Sequence, residues 1–412
     1  MLISLGVACS AALAASASLA SPASSEPAIG SIPIAFFLFA ATLLGVALFH
    51  KYTLQVALCG LAAVLGFKLG FTDFDLRHHL GEEWPLLANL FGLLVGFGML
   101  ADYFGRSKIP DLLPAVLPSG WLGGFVLLVL VFILSSFLDN IAAAMIGGTV
   151  AAVVFDKKVH LGFLAAIVAA SNAGGSGSVV GDTTTTMIWL EGIPPWDVVH
   201  AYVAAVPALV VFGIIASKQQ VAFHPVRRDP KPGVRIAWKY VFVVLLILAG
   251  AIFTNVYHDF GFPAVGVWGA ILIASPFARP SFHEVPSAVR GSIFLLSLVL
   301  CASMMPVDRL PEASSATTLG LGFISAVFDN IPLTKLALQQ GGYDWGFLAY
   351  AVGFGGSMIW FGSSAGVAIS NAYPEARSVG AWLRSGWHVA IAYLVGFAVL
   401  HYTFGWQPHS QH

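Results

Sequence analysis

Three acidic side chains lie inside long apolar stretches of this chain, where a charge is unfavourable. Two of them form Asp139-Asn140 and Asp329-Asn330, and the third, Asp182, follows a glycine-rich run. A charged group at the centre of a bilayer costs about 2.5–3.5 kcal/mol on insertion scales, so such residues mark functional sites. Carboxylates and amide oxygens are also the ligands that hard cations prefer. The sequence therefore predicts an ion-binding site built around these residues.

The surroundings of these residues supply hydroxyls and interrupted backbone. A glycine pair at 174–175 precedes Asp182, and a matching pair at 355–356 precedes Ser363 at the same spacing. Glycine runs inside apolar segments break helices, and the freed backbone groups are tolerated at membrane depth only beside a cavity or inside protein. The residues predicted to bind the ion or substrate are Asp139, Asn140, Gly174, Gly175, Ser176, Asp182, Thr183, Asp329, Asn330, Ser357, Ser363 and Ser364.

Lys335 is the single basic residue inside the predicted spans, and two interpretations of it are open. It is either a charge partner of the site or a side chain that reaches along its helix towards the membrane surface. Structural roles also remain open for the acidic residues, because an aspartate at a helix start can act only as a cap.

The elements that position these residues occur twice. The two Asp-Asn pairs are 190 positions apart, and the two glycine motifs are 181 positions apart. We expect an all-α polytopic membrane protein of two inverted repeats, each with five transmembrane helices, one re-entrant hairpin and one broken helix. Repeat 1 spans 33–216, with its hairpin at 121–155 and its broken helix at 160–190. After a linker at 217–237, repeat 2 spans 238–405, with its hairpin at 316–340 and its broken helix at 346–372.

Composition supports a membrane protein. Of 412 residues, 58% are apolar and 9% are charged, against about 25% charged in a soluble domain. The formal net charge of −1 argues against a nucleic-acid partner, so the expected surroundings are the lipid bilayer. Residues 1–25 resemble a secretory signal without a basic start, and an uncleaved extra helix is the alternative.

Charge also predicts the orientation of the chain. With the linker 217–237 on the cytoplasmic side, fifteen lysine and arginine residues fall on that side, against Lys68, Arg77 and Arg309 on the other. We therefore expect a multi-pass protein of the bacterial inner (cytoplasmic) membrane, with its C-terminus outside.

The motifs resemble the ion transporter superfamily, and within it the NhaD-type sodium/proton antiporters. The similarity rests on Ser135 to Asn140, on Asn172 to Gly175 with Gly181 to Trp189, and on Asp329 to Leu333 with Gly362 to Val367. It implies a secondary transporter with a scaffold part and a mobile part that contains both hairpins, and it allows a homodimer. The superfamily also contains citrate and dicarboxylate carriers and arsenite exporters.

The chain departs from that family pattern at two places. Ala142, Ala143 and Ala144 stand where the antiporters tend to have threonines, and Lys335 stands where the pattern is usually uncharged. A lysine beside the site would repel a bound cation or attract an anion.

The function that follows is gradient-driven transport, most simply sodium or lithium/proton antiport by alternating access. The alternative is a sodium- or proton-coupled anion carrier, in which helix N-termini and Lys335 face a carboxylate substrate. No nucleophile with its base, no metal-binding cluster and no phosphate-binding GxxxxGK[ST] loop is visible, so we expect neither an enzyme nor a resident cofactor.

Overall fold

A computed structural model describes residues 27–408, except 31, 50, 51, 110, 113–116, 227–234, 257–261, 283 and 284. The predicted signal-like segment 1–25 lies outside the described residues, as does the middle of the linker 217–237. Within the described chain, a two-residue strand pair, β1 (Ala28–Ile29) with β2 (Ile32–Pro33), precedes an almost entirely helical fold.

The helices follow one another in chain order. The first half contains α1 (Ile34–Leu48), α2 (Thr53–Phe71), α3 (Leu76–Arg106), α4 (Trp121–Ser135), α5 (Asn140–Val154), α6 (Leu161–Gly175), α7 (Thr183–Leu190), α8 (Trp196–Val199) and α9 (Tyr202–Phe223). The second half contains α10 (Trp238–Val256), α11 (Pro263–Ala274), α12 (Val285–Ser303), α13 (Ser315–Ser325), α14 (Asn330–Gln340), α15 (Trp345–Gly355), α16 (Ser364–Ala372) and α17 (Val379–Phe404). Short 3-10 turns lie at Val307–Arg309 and Pro374–Arg377.

Several helices have the length and composition of membrane spans. Thr53–Phe71, Leu76–Arg106, Trp196–Phe223 and Val379–Phe404 are long and apolar enough to cross a bilayer. Other apolar helices are shorter, and large side chains such as Phe242, Leu272 and Ile273 are exposed on helix surfaces, as lipid contact requires. The chain is an α-helical, multi-pass membrane protein.

The two predicted hairpins and the two predicted broken helices are each interrupted by a non-helical segment. Residues 136–139 separate α4 from α5, and residues 326–329 separate α13 from α14. Residues 176–182 separate α6 from α7, and residues 356–363 separate α15 from α16. Four short helices therefore begin inside the protein.

Two helix boundaries differ from those expected. Helix α3 begins at Leu76 rather than at 86, where its apolar stretch starts, because Asp75 caps it through the backbone N–H groups of Arg77 and His78. Glu83 is therefore helical rather than in a loop. Helix α9 continues to Phe223, so the first residues of the linker 217–237 are helical. Hydropathy detects only the apolar part of a helix, and polar helix formers extend it further.

The helices form two bundles. The first bundle consists of α1 to α3 with α10 to α12, and the second consists of α4 to α9 with α13 to α17. Helix α6 lies at the centre of the second bundle, where nearly all of its residues are fully buried. The bundles meet where α12 packs against α14 and where α3 packs against α7.

Charged residues distinguish the two ends of the molecule. At one end, the acidic end, Glu83 and Glu191 lie close to Lys335. At the other, the basic end, Arg106 donates a hydrogen bond of 2.9 Å to the carbonyl oxygen of Arg279. Helix α3 connects the two ends, because 19 residues from Glu83 to Asp102 span about 28 Å along a helix.

Close helix packing in the first bundle depends on glycine. A Cβ atom at Gly266 would collide with the carbonyl group of Gly250 and with Thr254, whereas one at Gly269 would meet no atom within 4 Å. Both glycines lie on α11. Alanine substitutions at these two positions therefore separate the effect of packing from the effect of helix propensity.

We expect Gly266→Ala to destabilise the protein by about 1–3 kcal/mol, because overpacking forces the two helices apart. Gly269→Ala is the matched control, and it should be neutral or stabilising by up to about 1 kcal/mol, the gain in helix propensity. Thermal unfolding of the two variants in detergent measures the difference. Equal midpoints would contradict the close contact between α10 and α11.

Candidate functional site

Asp139, Asp182 and Asp329 each cap the N-terminus of a helix that starts inside the protein, and Asp182 is the most deeply buried of the three. Asp139 accepts a hydrogen bond of 3.1 Å from the backbone N–H of Ile141, and Asp329 accepts one of 3.1 Å from Ile331. Asp182 caps α7 in the same way. The first N–H groups of a helix have no partner within it and carry partial positive charge. The three helix starts therefore hold negative groups in a largely apolar interior.

Asp182 connects the two interrupted Asp-Asn segments. Its carboxylate accepts hydrogen bonds from the side-chain amide of Asn140 at 3.3 Å and from that of Asn330 at 3.4 Å. Asp182 is 2% exposed, and both asparagines are buried. Asp139 lines the same cavity as Asp182, and Asp329 lines a neighbouring cavity. Residues from both halves of the chain thus form one polar centre.

Asn172 lies beside this centre and extends it. Its side-chain oxygen accepts a hydrogen bond of 3.1 Å from Asn140, and its side-chain nitrogen donates to the hydroxyls of Ser357 and Ser363, each at 3.0 Å. Asn172 belongs to one of the sequence motifs but is not among the predicted site residues. An amide side chain in a run of small residues, near the C-terminal end of an apolar helix, is the signal in the sequence that points to it.

The remaining predicted residues fall into two groups. Ser364 donates a hydrogen bond of 3.4 Å to Asp329, and Thr183 faces the cavity described below. Gly174 and Gly175 instead allow close backbone approach, since added Cβ atoms would collide with Phe132 and with the segment around Gly181. Ser176, Ser357 and the two glycines do not line that cavity.

A cavity of about 490 Å³ reaches the polar centre from the basic end. Its lining includes Asp139, Asn140, Asp182 and Asn330, together with Asp102 near the end of α3. A second cavity of about 200 Å³ holds Asp329 and Ser364 and shares lining residues with the first. The described lining of both cavities contains no lysine or arginine.

Asp102 stands at the basic-end side of the large cavity. It pairs with Arg106 at 3.3 Å, and Arg106 also donates to the hydroxyl of Tyr240 at 2.8 Å. A carboxylate so near a helix end gives no signal in the sequence, because charged residues are common there.

Lys335 does not contact the aspartates. Its ammonium group lies 2.9 Å from a carboxylate oxygen of Glu83 and 2.9 Å from one of Glu191, at the acidic end. The structure thus pairs this lysine with residues outside the polar centre. Its positive charge is matched there by two carboxylates.

Equivalent contacts recur in the two halves. The hydroxyl of Ser135 donates to the carbonyl oxygen of Ser171 at 2.5 Å, and that of Ser325 donates to Val352 at 2.7 Å. These pairs keep the 190- and 181-residue offsets of the sequence motifs.

The chemistry of the two halves is nevertheless unequal. Ser363 caps α16 at the position equivalent to Asp182, and Gly353 stands at the position equivalent to Asn172. A Cβ at Gly353 would lie 3.0 Å from Asp182. Only the first half therefore contributes both an amide and a carboxylate at these positions.

Comparison with known proteins finds distant relatives. No protein-family model matches the chain. It is 26% identical over 349 residues to Sodium/proton antiporter 1 of Arabidopsis thaliana, covering 71% of this chain and 58% of the plant protein. The chain thus spans less than two thirds of that relative.

Two bacterial relatives are matched over a larger share of their length. The Na(+)/H(+) antiporter NhaD of Alkalimonas amylolytica is 27% identical over 366 residues, covering 72% of this chain and 73% of the relative. The Na(+)/H(+) antiporter NhaD of Vibrio parahaemolyticus is 26% identical over 352 residues, covering 71% and 78%. The chain is therefore related to the NhaD-type sodium/proton antiporters.

Proposed function

We propose that the protein exchanges sodium or lithium for protons by alternating access across the cytoplasmic membrane of a bacterium. One observation carries this proposal: the large cavity contains the carboxylates of Asp139 and Asp182 and, along its described lining, no lysine or arginine. Such a cavity attracts cations and repels anions. The names of the relatives, which are sodium/proton antiporters, favour the same function.

Competition for the same oxygen atoms would couple the two ions. Removal from water disfavours a charged carboxylate, so a proton or a nearby cation stabilises the aspartates of the site. Asn140 and Asn330 both donate hydrogen bonds from their amide nitrogens to Asp182 and also line the cavity, so both amide groups lie beside the carboxylate that would exchange the ions. A hard cation that enters this set displaces protons, and protons displace the cation.

The proposed architecture is two inverted repeats with re-entrant hairpins at α4–α5 and α13–α14. The recurring serine contacts and the capped helix starts support it. The distribution of lysine and arginine supports an orientation with the linker 217–237 in the cytoplasm and the C-terminus outside. In that orientation the large cavity opens towards the cytoplasm.

The anion-carrier alternative depends on a free positive charge at the site. Lys335 would have to supply that charge, but Glu83 and Glu191 already hold its ammonium group. The helix N-termini at the site are likewise capped by aspartate or serine side chains of the chain itself. These contacts favour a cation.

The function can be tested with the purified protein in proteoliposomes that contain a pH-sensitive dye. A preformed, acid-inside pH gradient should collapse on addition of external sodium or lithium, with potassium as the ionic control. No response to either ion, together with uptake of labelled citrate, would replace antiport with anion transport.

We expect Asp139→Asn, Asp182→Asn and Asp329→Asn each to reduce exchange at least 100-fold, because an amide cannot exchange a proton for a cation. Asp308→Asn is the control, since Asp308 pairs with Arg309 on the surface and is far more exposed. Expression and gel-filtration profiles should match the wild type. Exchange at wild-type rates in all three site variants would exclude these carboxylates as the ion-binding groups.

Competition also fixes a pH dependence. At pH values where protons occupy the site, the sodium concentration for half-maximal exchange should rise by about tenfold for each unit of decrease in pH, if one proton is displaced. The maximal rate at saturating sodium should change much less. A half-maximal sodium concentration that is constant between pH 6 and 9 would contradict a shared site.

A further inference from the structure

The two bundles contact each other unevenly along the membrane normal. Helix α12 packs against α14, and both run to the acidic end at Ser303 and Gln340. Towards the basic end, the cavity lies between the same first-bundle helices and the second bundle, along Leu94–Asp102 of α3 and Ala288–Leu295 of α12. The polar centre is thus sealed at the acidic end and reached from the basic end.

One ion pair crosses the sealed boundary. Lys335 lies on α14 of the second bundle, Glu191 ends α7 of the same bundle, and Glu83 lies on α3 of the first bundle. The contact of 2.9 Å from Lys335 to Glu191 therefore stays within one bundle, whereas the contact of 2.9 Å to Glu83 joins the two. The side chains of Lys335 and Glu83 are 4% and 11% exposed, so water screens the crossing contact only weakly, whereas Glu191 is 37% exposed.

Other crossing contacts surround this pair. The side-chain amide of Gln339 on α14 donates a hydrogen bond of 2.7 Å to the carbonyl oxygen of Ser303 on α12. Leu336 belongs to the same packed apolar cluster as Leu298 and Cys301 of α12. Opening the acidic end requires all of these contacts to separate.

We infer that the Lys335–Glu83 ion pair is a latch that holds the acidic end of the ion-binding site closed. Alternating access needs a second state in which the acidic end opens and the cavity at the basic end closes. Because the pair exists only in the closed arrangement, it adds to the stability of that state alone and so sets the ratio of the two states. Lys335 is then a positioning residue, which does not touch the ion. The inference rests on the proposed alternating-access function.

A thiol already present in the chain reports the state of the acidic end. Cys301 is fully buried in the apolar cluster beneath the latch, and Cys59 is exposed on α2. In a background with Cys9→Ser and Cys59→Ser, Cys301 is the sole thiol. Its rate of reaction with a water-soluble maleimide, measured on the purified full-length protein, then follows the opening of the acidic end.

A second reporter follows the opposite end. Gly291 lines the cavity, and an added Cβ atom there meets no atom within 4 Å. Gly291→Cys, in a background where Cys301 is also replaced by serine, should react rapidly in the state described here. Closure of the cavity would protect it.

We expect Glu83→Gln to increase the labelling rate of Cys301 at least tenfold and to lower that of Gly291→Cys at least twofold. Glu191→Gln is the matched control, since it removes the other carboxylate that contacts Lys335 but leaves the crossing contact in place. It should change either rate by less than twofold. Gln339→Ala removes a crossing hydrogen bond without a charge and should raise Cys301 labelling about threefold.

The opposite signs of the two reporters separate a shift between states from loosened packing. A rise at both positions, no change at either, or equal effects of Glu83→Gln and Glu191→Gln would each overturn the latch. If Glu83→Gln does not fold, the shorter Glu83→Asp, which cannot keep the 2.9 Å contact with Lys335 at unchanged helix positions, is labelled instead, and unchanged rates overturn the latch. Sodium flux of the wild type is measured in parallel. Opposite shifts in labelling without sodium exchange would reject the antiport and keep the latch. Sodium exchange with unshifted labelling would reject the latch alone.

Discussion

The structure depends on one constraint: acidic groups placed in an apolar interior need compensating partners. Breaks in helices supply those partners, because a helix that starts inside the protein presents unpaired N–H groups and partial positive charge. Asp139, Asp182 and Asp329 each occupy such a start. The interruptions at 136–139, 176–182 and 326–329 are therefore what allow carboxylates to exist at this depth, and the glycines near them let the broken ends come together.

The same constraint explains why the polar centre joins the two halves of the chain. Asp182 receives one amide from Asn140 and another from Asn330, so neither half alone supplies its partners. Asn172 fulfils the complementary role, since it belongs to the first half and donates to Ser357 and Ser363 of the second. A change of position in either half thus alters the surroundings of the single buried carboxylate at the centre.

The sequence predicts much of this centre, because charged residues and glycine runs stand out against apolar stretches. It predicts the three aspartates and both asparagines, which the structure brings around one cavity or its neighbour. It does not predict the partners of Lys335, since Glu83 is remote in sequence and lies in a polar helical turn that hydropathy assigns to a loop. Nor does it separate Gly174, Gly175 and Ser176, which pack against backbone, from residues that face the cavity, because that difference depends on side-chain direction.

The one-sided cavity has an electrical consequence. An opening that admits electrolyte carries the potential of the basic-end compartment inward as far as Asp139 and Asp182, so little voltage falls along it. Nearly all of the membrane voltage must then drop across the thin layer that contains Lys335 and its carboxylates. When that layer opens and the other end closes, the steep part of the field changes sides while the bound ion moves only a short distance. The electrical work of a transport cycle would thus be done mainly by relocating the insulating layer rather than by moving an ion through it.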